Sequence, residues 1–404
     1  MDLKITKQIS IHAFDTSSLH NKYLACYGDR SFEITEATAQ LIGILQHAES
    51  VEDAAIQLSR LKKNEYTAED IKAIGVKCID PIVKSGITPR NKIFLFKVQL
   101  IPAEVISIAA KALVVLFRPF MIAFFVTALV FMETWFYFFK TSSFRPGHID
   151  LYTLLGVIGL YICSSLFHEL GHASACRHFG VNHGGIGFAL YMNFPVFYTD
   201  VSDTWRLPRR QRLVVNFAGV YFQLIYLIPW FIIFFITQNE VVKFFIYTIN
   251  LNFLFTLNPF FKFDGYWIMS DLLGVPNLRK RSNELFSYLR KRIFSHNQPS
   301  EKPFLLTIRP FEKICMLGYS VIVNLFFLYY FCYILPRFLY SFARNFPEQL
   351  RELMEYVTQG NMPSFNLLQS VIGQLIIVGA TLFFLFKMIW PLMKKARVRF
   401  SKVD

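Results

Sequence analysis

With 404 residues, 54% of them hydrophobic, 17% aromatic and 45 of them Phe, the chain is too apolar for one soluble domain to bury. The net charge of +14 lies beyond residue 90: the first ninety residues hold 11 basic and 12 acidic side chains, the rest 31 and 16. That excess fits basic residues flanking apolar spans against anionic lipid better than nucleic-acid binding, and six scattered cysteines without a CxxC pair suggest neither a thiolate zinc site nor a disulfide framework, so they read as packing residues.

Residues 1–90 read as a soluble unit. YLACY and SFEI around Gly28 and Asp29 predict a hairpin, followed by three helices opened by Thr35, by Ser50 with Asp53 and by Thr67 with Asp70; Gly86 ends the last. MDLKITKQIS lacks the apolar core of a signal peptide, so this unit is expected in the cytoplasm. Residues 95–112 read as an interfacial helix. Six apolar stretches then predict membrane helices near 115–139, 152–176, 212–237, 241–259, 314–336 and 366–392. An even number returns the chain to its starting side, which puts Arg206, Arg209, Arg210, Arg212, the basic runs at 279–281 and 290–292 and the tail with Lys394, Lys395, Arg397 and Arg399 inside with both termini. The expectation is a mainly α, multi-pass helical membrane protein with about six transmembrane helices (91–404) behind a small cytoplasmic α+β, winged-helix-like N-terminal domain (1–90).

The second span ends in HELGH. His168 and His172 stand four residues apart, so a helix presents both imidazoles on one face, where they can hold one Zn2+. Glu169 beside them can take a proton from water and pass it to a leaving amine. The plainer alternative is two buried histidines and a salt-bridged glutamate, but three ionisable groups at the end of an apolar span need compensation, which a divalent cation supplies. Catalytic zinc wants a third protein ligand. Asp264 in NPFFKFDGYW is the candidate, because Pro259 breaks the fourth span and Gly265 permits close approach; alternatively Asp264 merely caps the next helix.

Between these motifs, Ile186, Phe188, Leu190 and Met192 alternate as in a strand or re-entrant hairpin, whose free edge can pair with an extended substrate; Gly185, Phe188 and Asn193 are the candidate contacts there. Asp200 and Asp203 are rival metal ligands or, alternatively, loop residues and partners of Arg206 and Arg209. Asn216, Gly219 and Gln223 read as helix-packing residues.

HELGH followed two spans later by N-P-x4-D-G resembles the site-2 protease family of intramembrane zinc metalloproteases, over roughly residues 150–275. The resemblance implies His168, His172 and Asp264 as ligands of one zinc per chain, Glu169 as acid/base and Asn258 as a substrate contact. Residues 22–59 resemble the precursor-peptide recognition domain of ribosomally made, modified peptides, which implies capture of a leader peptide by strand addition. The near-zero charge of residues 1–90 argues against DNA as the partner. The leading expectation is a membrane zinc metalloprotease acting on a small precursor or secreted peptide; the alternatives are regulated cleavage of a membrane-anchored signalling protein and a non-catalytic transporter or scaffold.

Overall fold

The computed structural model describes residues 3–28, 30–87, 94–140, 151–191, 194–294 and 303–400. A short helix α1 (Leu3–Thr6) leads into an antiparallel sheet of β1 (Ser10–Phe14), β2 (Lys22–Tyr27) and β3 (Arg30–Thr35), in the order β1-β2-β3. The predicted hairpin is β2 and β3, with Cys26 opposite Ser31. Strand β1 was not expected from sequence: SIHAF has one fully buried residue, Phe14, so its alternation is faint. Helices α2 (Glu36–His47), α3 (Val51–Lys62), α4 (Ala68–Cys78) and α5 (Asp80–Ile87) follow and close a core of Ile9, Ala25, Ile42, Leu45, Ala54 and Ile71.

The three predicted caps are in place: Thr35, Ser50 and Thr67 accept from the backbone N–H of Thr38, Asp53 and Asp70. The third predicted helix is divided at Ile79 into α4 and α5, and Gly86 is the next-to-last residue of α5. At the start of α4 the Thr67 amide and hydroxyl donate to Asp70 at 2.9 and 2.8 Å. Those bonds hold the Asp70 carboxyl below its ordinary pKa of 3.8. A depressed folded-state pKa stabilises above the unfolded value and loses that contribution as pH falls through the folded one. Amide protection of the first turn of α4, corrected for intrinsic exchange, should therefore fall as the pH drops below 3.8 in the native chain. In Asp70→Asn it should be weaker at neutral pH and flat across that range.

Residues 95–112 are not one helix. They form strand β4 (Phe94–Ile101) and helix α6 (Ala103–Leu113), divided at Pro102, whose missing N–H suits a helix start but not a strand or helix interior. The two-residue alternation of FLFKVQLI was the overlooked signal. After a tight turn at Val114–Phe117 come α7 (Pro119–Trp135) and α8 (Leu151–His178). Strands β5 (Ile186–Tyr191) and β6 (Phe194–Thr199) form the expected hairpin, and β4 joins it in the order β4-β5-β6. The remaining helices are α9 (Arg209–Thr237), α10 (Glu240–Thr256), α11 (Asp264–Leu273), α12 (Leu278–Phe294), α13 (Pro310–Tyr329), α14 (Leu335–Thr358) and α15 (Phe365–Phe400).

Among the described residues, four helical stretches are long and apolar enough to cross a membrane: Pro119–Phe139, Tyr152–His178, Arg209–Thr237 and Pro310–Thr358. The expected count of about six is not confirmed by these four. The expected span at 241–259 ends with α10 at Thr256, a helix of 17 residues against the ~20 a crossing needs, while the expected span at 366–392 lies within the single helix α15. Large apolar side chains such as Phe120, Phe124, Phe131, Ile314, Val321, Leu325, Ile372 and Ile376 are exposed, as lipid-facing helices require. The six cysteines are free; Cys26 and Cys176 are buried, but Cys163 and Cys332 are exposed and do not serve as packing residues.

The N-terminal unit sits against the base of α9 and α11. Ser17 donates to the Gly274 carbonyl through both its amide and its hydroxyl, Leu19 donates to Thr307, Phe14 meets Trp205 edge-on, and Glu33 pairs with Arg281 at 2.8 Å.

Candidate metal centre

Helix α8 carries His168 and His172 one turn apart, and both imidazoles are buried against α9. Gly219 makes this approach possible: a Cβ there would stand 2.5 Å from the Nε2 of each histidine. The His172 Nδ1–H donates to the Val215 carbonyl of α9 at 2.8 Å, leaving its Nε2 lone pair facing inward. The two Nε2 atoms are 3.2 Å apart.

Asp264 arrives from the other side. α10 stops at Thr256, and the Asn258 Oδ1 accepts from the Phe260 amide at 2.8 Å, a turn that Pro259 favours because it cannot continue a helix. Tyr319 of α13 donates to the Pro259 carbonyl at 3.0 Å and anchors the turn. Gly265 is required where the chain doubles back, since a Cβ would run into the Leu257 carbonyl. Asp264 is the first residue of α11, one position past the N-cap Phe263, so it is not the capping residue that the plainer alternative made it. Its Oδ2 lies 2.8 Å from His168 Nε2 and 3.3 Å from His172 Nε2.

Three donor atoms thus converge, and His168, His172 and Asp264 are the metal-capable cluster found among the described residues. Tetrahedral zinc with ligands at ~2.0–2.2 Å places donors about 3.3 Å apart; the spacings of 3.2 and 3.3 Å match, and the third, 2.8 Å, is shorter. The Asp264 Oδ2 is enclosed yet accepts no well-formed hydrogen bond, an orphan that a cation would satisfy. Imidazole and carboxylate together suit Zn2+. Glu169, adjacent on α8 and 8% exposed, interacts electrostatically with both imidazoles and with Asp264. Thr199 of β6 donates to the Glu169 carbonyl at 3.4 Å, tying the hairpin to the site.

The rival acids do other work. Asp200 accepts from the amide and hydroxyl of Ser202, and Asp203 pairs with Arg206 at 3.5 Å. Asn258 spends its Oδ1 on the turn. Gly185 lies under β4, where a Cβ would strike the Ile101 carbonyl, and Phe188 packs edge-on against Phe197. Asn193 lies outside the described residues. Because β5 is paired on both sides, the sheet's open edges are β4 and β6, not β5, which carries Phe188 and starts just after Gly185. Asn216 donates to Asp271 and Gln223 to Ser164, both as helix-packing bonds. Gly219 was read as packing only; its place three residues after Asn216 on the helix facing HELGH was the available signal for more. Gly219→Ala should lower zinc affinity about 10- to 100-fold, as loss of ligand orientation does, measured by chelator competition; unchanged affinity would mean the imidazoles relax freely.

No family model matches the chain, and no solved structure does. A curated relative is the Bacillus subtilis (strain 168) protein named "Putative peptide zinc metalloprotease protein YydH", 27% identical over 156 residues. The match takes in 37% of this chain and 60% of that relative's length, so the chain is similar to a protein named as a zinc metalloprotease over a part of each.

Proposed function

We propose that the chain is a membrane zinc metalloprotease of site-2 type that hydrolyses a peptide bond in a small precursor or secreted peptide near the cytoplasmic membrane face. The convergence of His168, His172 and Asp264, with Glu169 beside them, carries this reading. The relative's name supports zinc and a peptide substrate, and the four long apolar helices support the membrane setting. The basic clusters support cytoplasmic termini.

His168, His172 and Asp264 would hold the zinc, which when bound would supply Lewis-acid polarisation of the reacting carbonyl. The chain's own residues do the rest. Val215 fixes the His172 tautomer, and Glu169 takes a proton from the attacking water, whose oxygen bonds to the carbonyl carbon, and returns that proton to the leaving nitrogen as the C–N bond breaks. A peptide bond inside a helix is shielded, so the substrate must be extended at the site. The open edge of β6 is the nearest place to pair it, since β6 is bonded to α8 at Glu169. The N-terminal unit, with its three-stranded sheet, is suited to capture a leader segment by the same edge pairing.

The test is metal content with processing. The full chain should purify with about one zinc, and His168→Ala should lose most of it. Co-expression with short peptides encoded by neighbouring genes should yield a shortened product with the native chain alone. Zinc retained in full by His168→Ala would sink the centre; cleavage of a membrane-anchored protein instead would favour regulated intramembrane proteolysis; peptide binding without cleavage would favour a scaffold.

A further inference from the structure

Helix α12 reads LRKRSNELFSYLRKRIF, and its burial follows its periodicity: Leu278, Ser282 and Leu285 are buried, while Lys280, Asn283, Glu284 and Ser287 recur at helical spacing on another face. That face walls an open cavity of about 520 Å³, lined in addition by Tyr266, Asn277, Arg279 and by Lys262 from the loop that delivers Asp264. Its volume is far beyond the ~30 Å³ share of one water, so it has room for an organic group.

The charge in this cavity is unbalanced. Lys262, Arg279 and Lys280 contribute three cations, and the one carboxylate of the lining, Glu284, is already paired with Arg281 at 3.2 Å. Lys280 is exposed and has no protein partner among the described residues. The Arg279 guanidinium is held in place at the cavity wall, donating to the Phe260 carbonyl at 2.7 Å and lying 4.7 Å over the Phe327 ring, so its charge is fixed beside the space a ligand would occupy. Asn283 and Ser287 add neutral donors.

The surroundings decide the kind of anion. Phe327 belongs to α13, within the apolar stretch Pro310–Thr358, and Phe260 and Phe261 pack on Phe326 and Phe327. The cavity therefore adjoins a lipid-facing helix, and basic pockets beside such helices suit anionic headgroups. We propose that this cavity binds the phosphate headgroup of an anionic membrane phospholipid, bracing the corner between α11 and α12 next to Asp264.

The delipidated full chain in neutral detergent, titrated with phosphatidylglycerol or phosphatidylcholine and followed by native mass spectrometry, tests this. One phosphatidylglycerol should bind at least tenfold tighter than phosphatidylcholine, and Lys262→Gln/Lys280→Gln should abolish that preference while keeping the lipid-free unfolding midpoint. The charge-matched pair Lys72→Gln/Lys77→Gln on α4 should leave it intact. Equal affinity for the two lipids, or the same loss in both double variants, overturns the site. Displacement of phosphatidylglycerol by equimolar inorganic phosphate would make the natural ligand a soluble phosphate and overturn the lipid assignment.

Discussion

Glu169→Gln is expected to keep about one zinc per chain and to lower turnover of any peptide the native chain processes by about 10²- to 10⁴-fold, the range associated with loss of a general acid/base. The substitution is close to isosteric, so the enclosure of residue 169 and the packing of α8 on α9 persist. His168, His172 and Asp264 are untouched, so the metal stays. What is lost is the ability of the side chain to accept a proton. The pattern separates this residue from the ligands: His168→Ala loses metal and activity together, whereas Glu169→Gln loses activity alone. Cleavage at the native rate in Glu169→Gln, with zinc in place, would show that the proton is taken elsewhere.

How far the sequence foretold this site depends on the range of each interaction. The four-residue spacing of His168 and His172 is local, and a helix turns it directly into a shared face. Asp264 is 92 residues further on from His172, yet it was legible because Asn258, Pro259 and Gly265 each have a backbone reason to be where they are. The caps at Thr35, Ser50 and Thr67 were legible for the same local reason. Strand β4 was not, since its partner β5 lies some ninety residues downstream and only that pairing chooses strand over helix for FLFKVQLI. Gly219 was read as packing, because an absent side chain gives no sign of which imidazoles occupy its space. The span count rested on apolar length, and α10 shows its weakness: the turn that positions Asp264 shortens the helix before it. Least legible was the docking of the N-terminal unit, since neither Asp15 nor Arg212 carries a local pattern.

Arg212→Ala is expected to destabilise the chain by about 3–5 kcal/mol, the cost of breaking a buried ion pair by removing one partner. Arg212, at the base of α9, is 3% exposed and bonds Asp271 Oδ1 at 2.6 Å, the Leu207 carbonyl at 2.9 Å and the Asp15 carbonyl at 3.0 Å. Its guanidinium also lies near the rings of Phe14 and Trp205. One side chain thus joins three parts: α9, which packs on both imidazoles through Gly219; α11, which begins with Asp264; and the N-terminal unit. Removing it leaves the Asp271 carboxylate with the Asn216 amide at 2.8 Å as its one side-chain hydrogen bond among the described residues and the more distant charge of Arg209. Because Asp271 and Asp264 share one ten-residue helix, the loss should reach the metal as weaker zinc affinity as well as a lower unfolding midpoint. The double variant Arg212→Met/Asp271→Leu removes both charges and should recover much of the stability. It should not recover the docking of residues 3–28, since the Asp15 carbonyl still lacks its donor, and exchange of the Ser17 and Leu19 amides should stay fast. An Arg212→Ala chain that melts and binds zinc like the native one would mean that α11 is positioned by its packing against α13 and not by this ion pair.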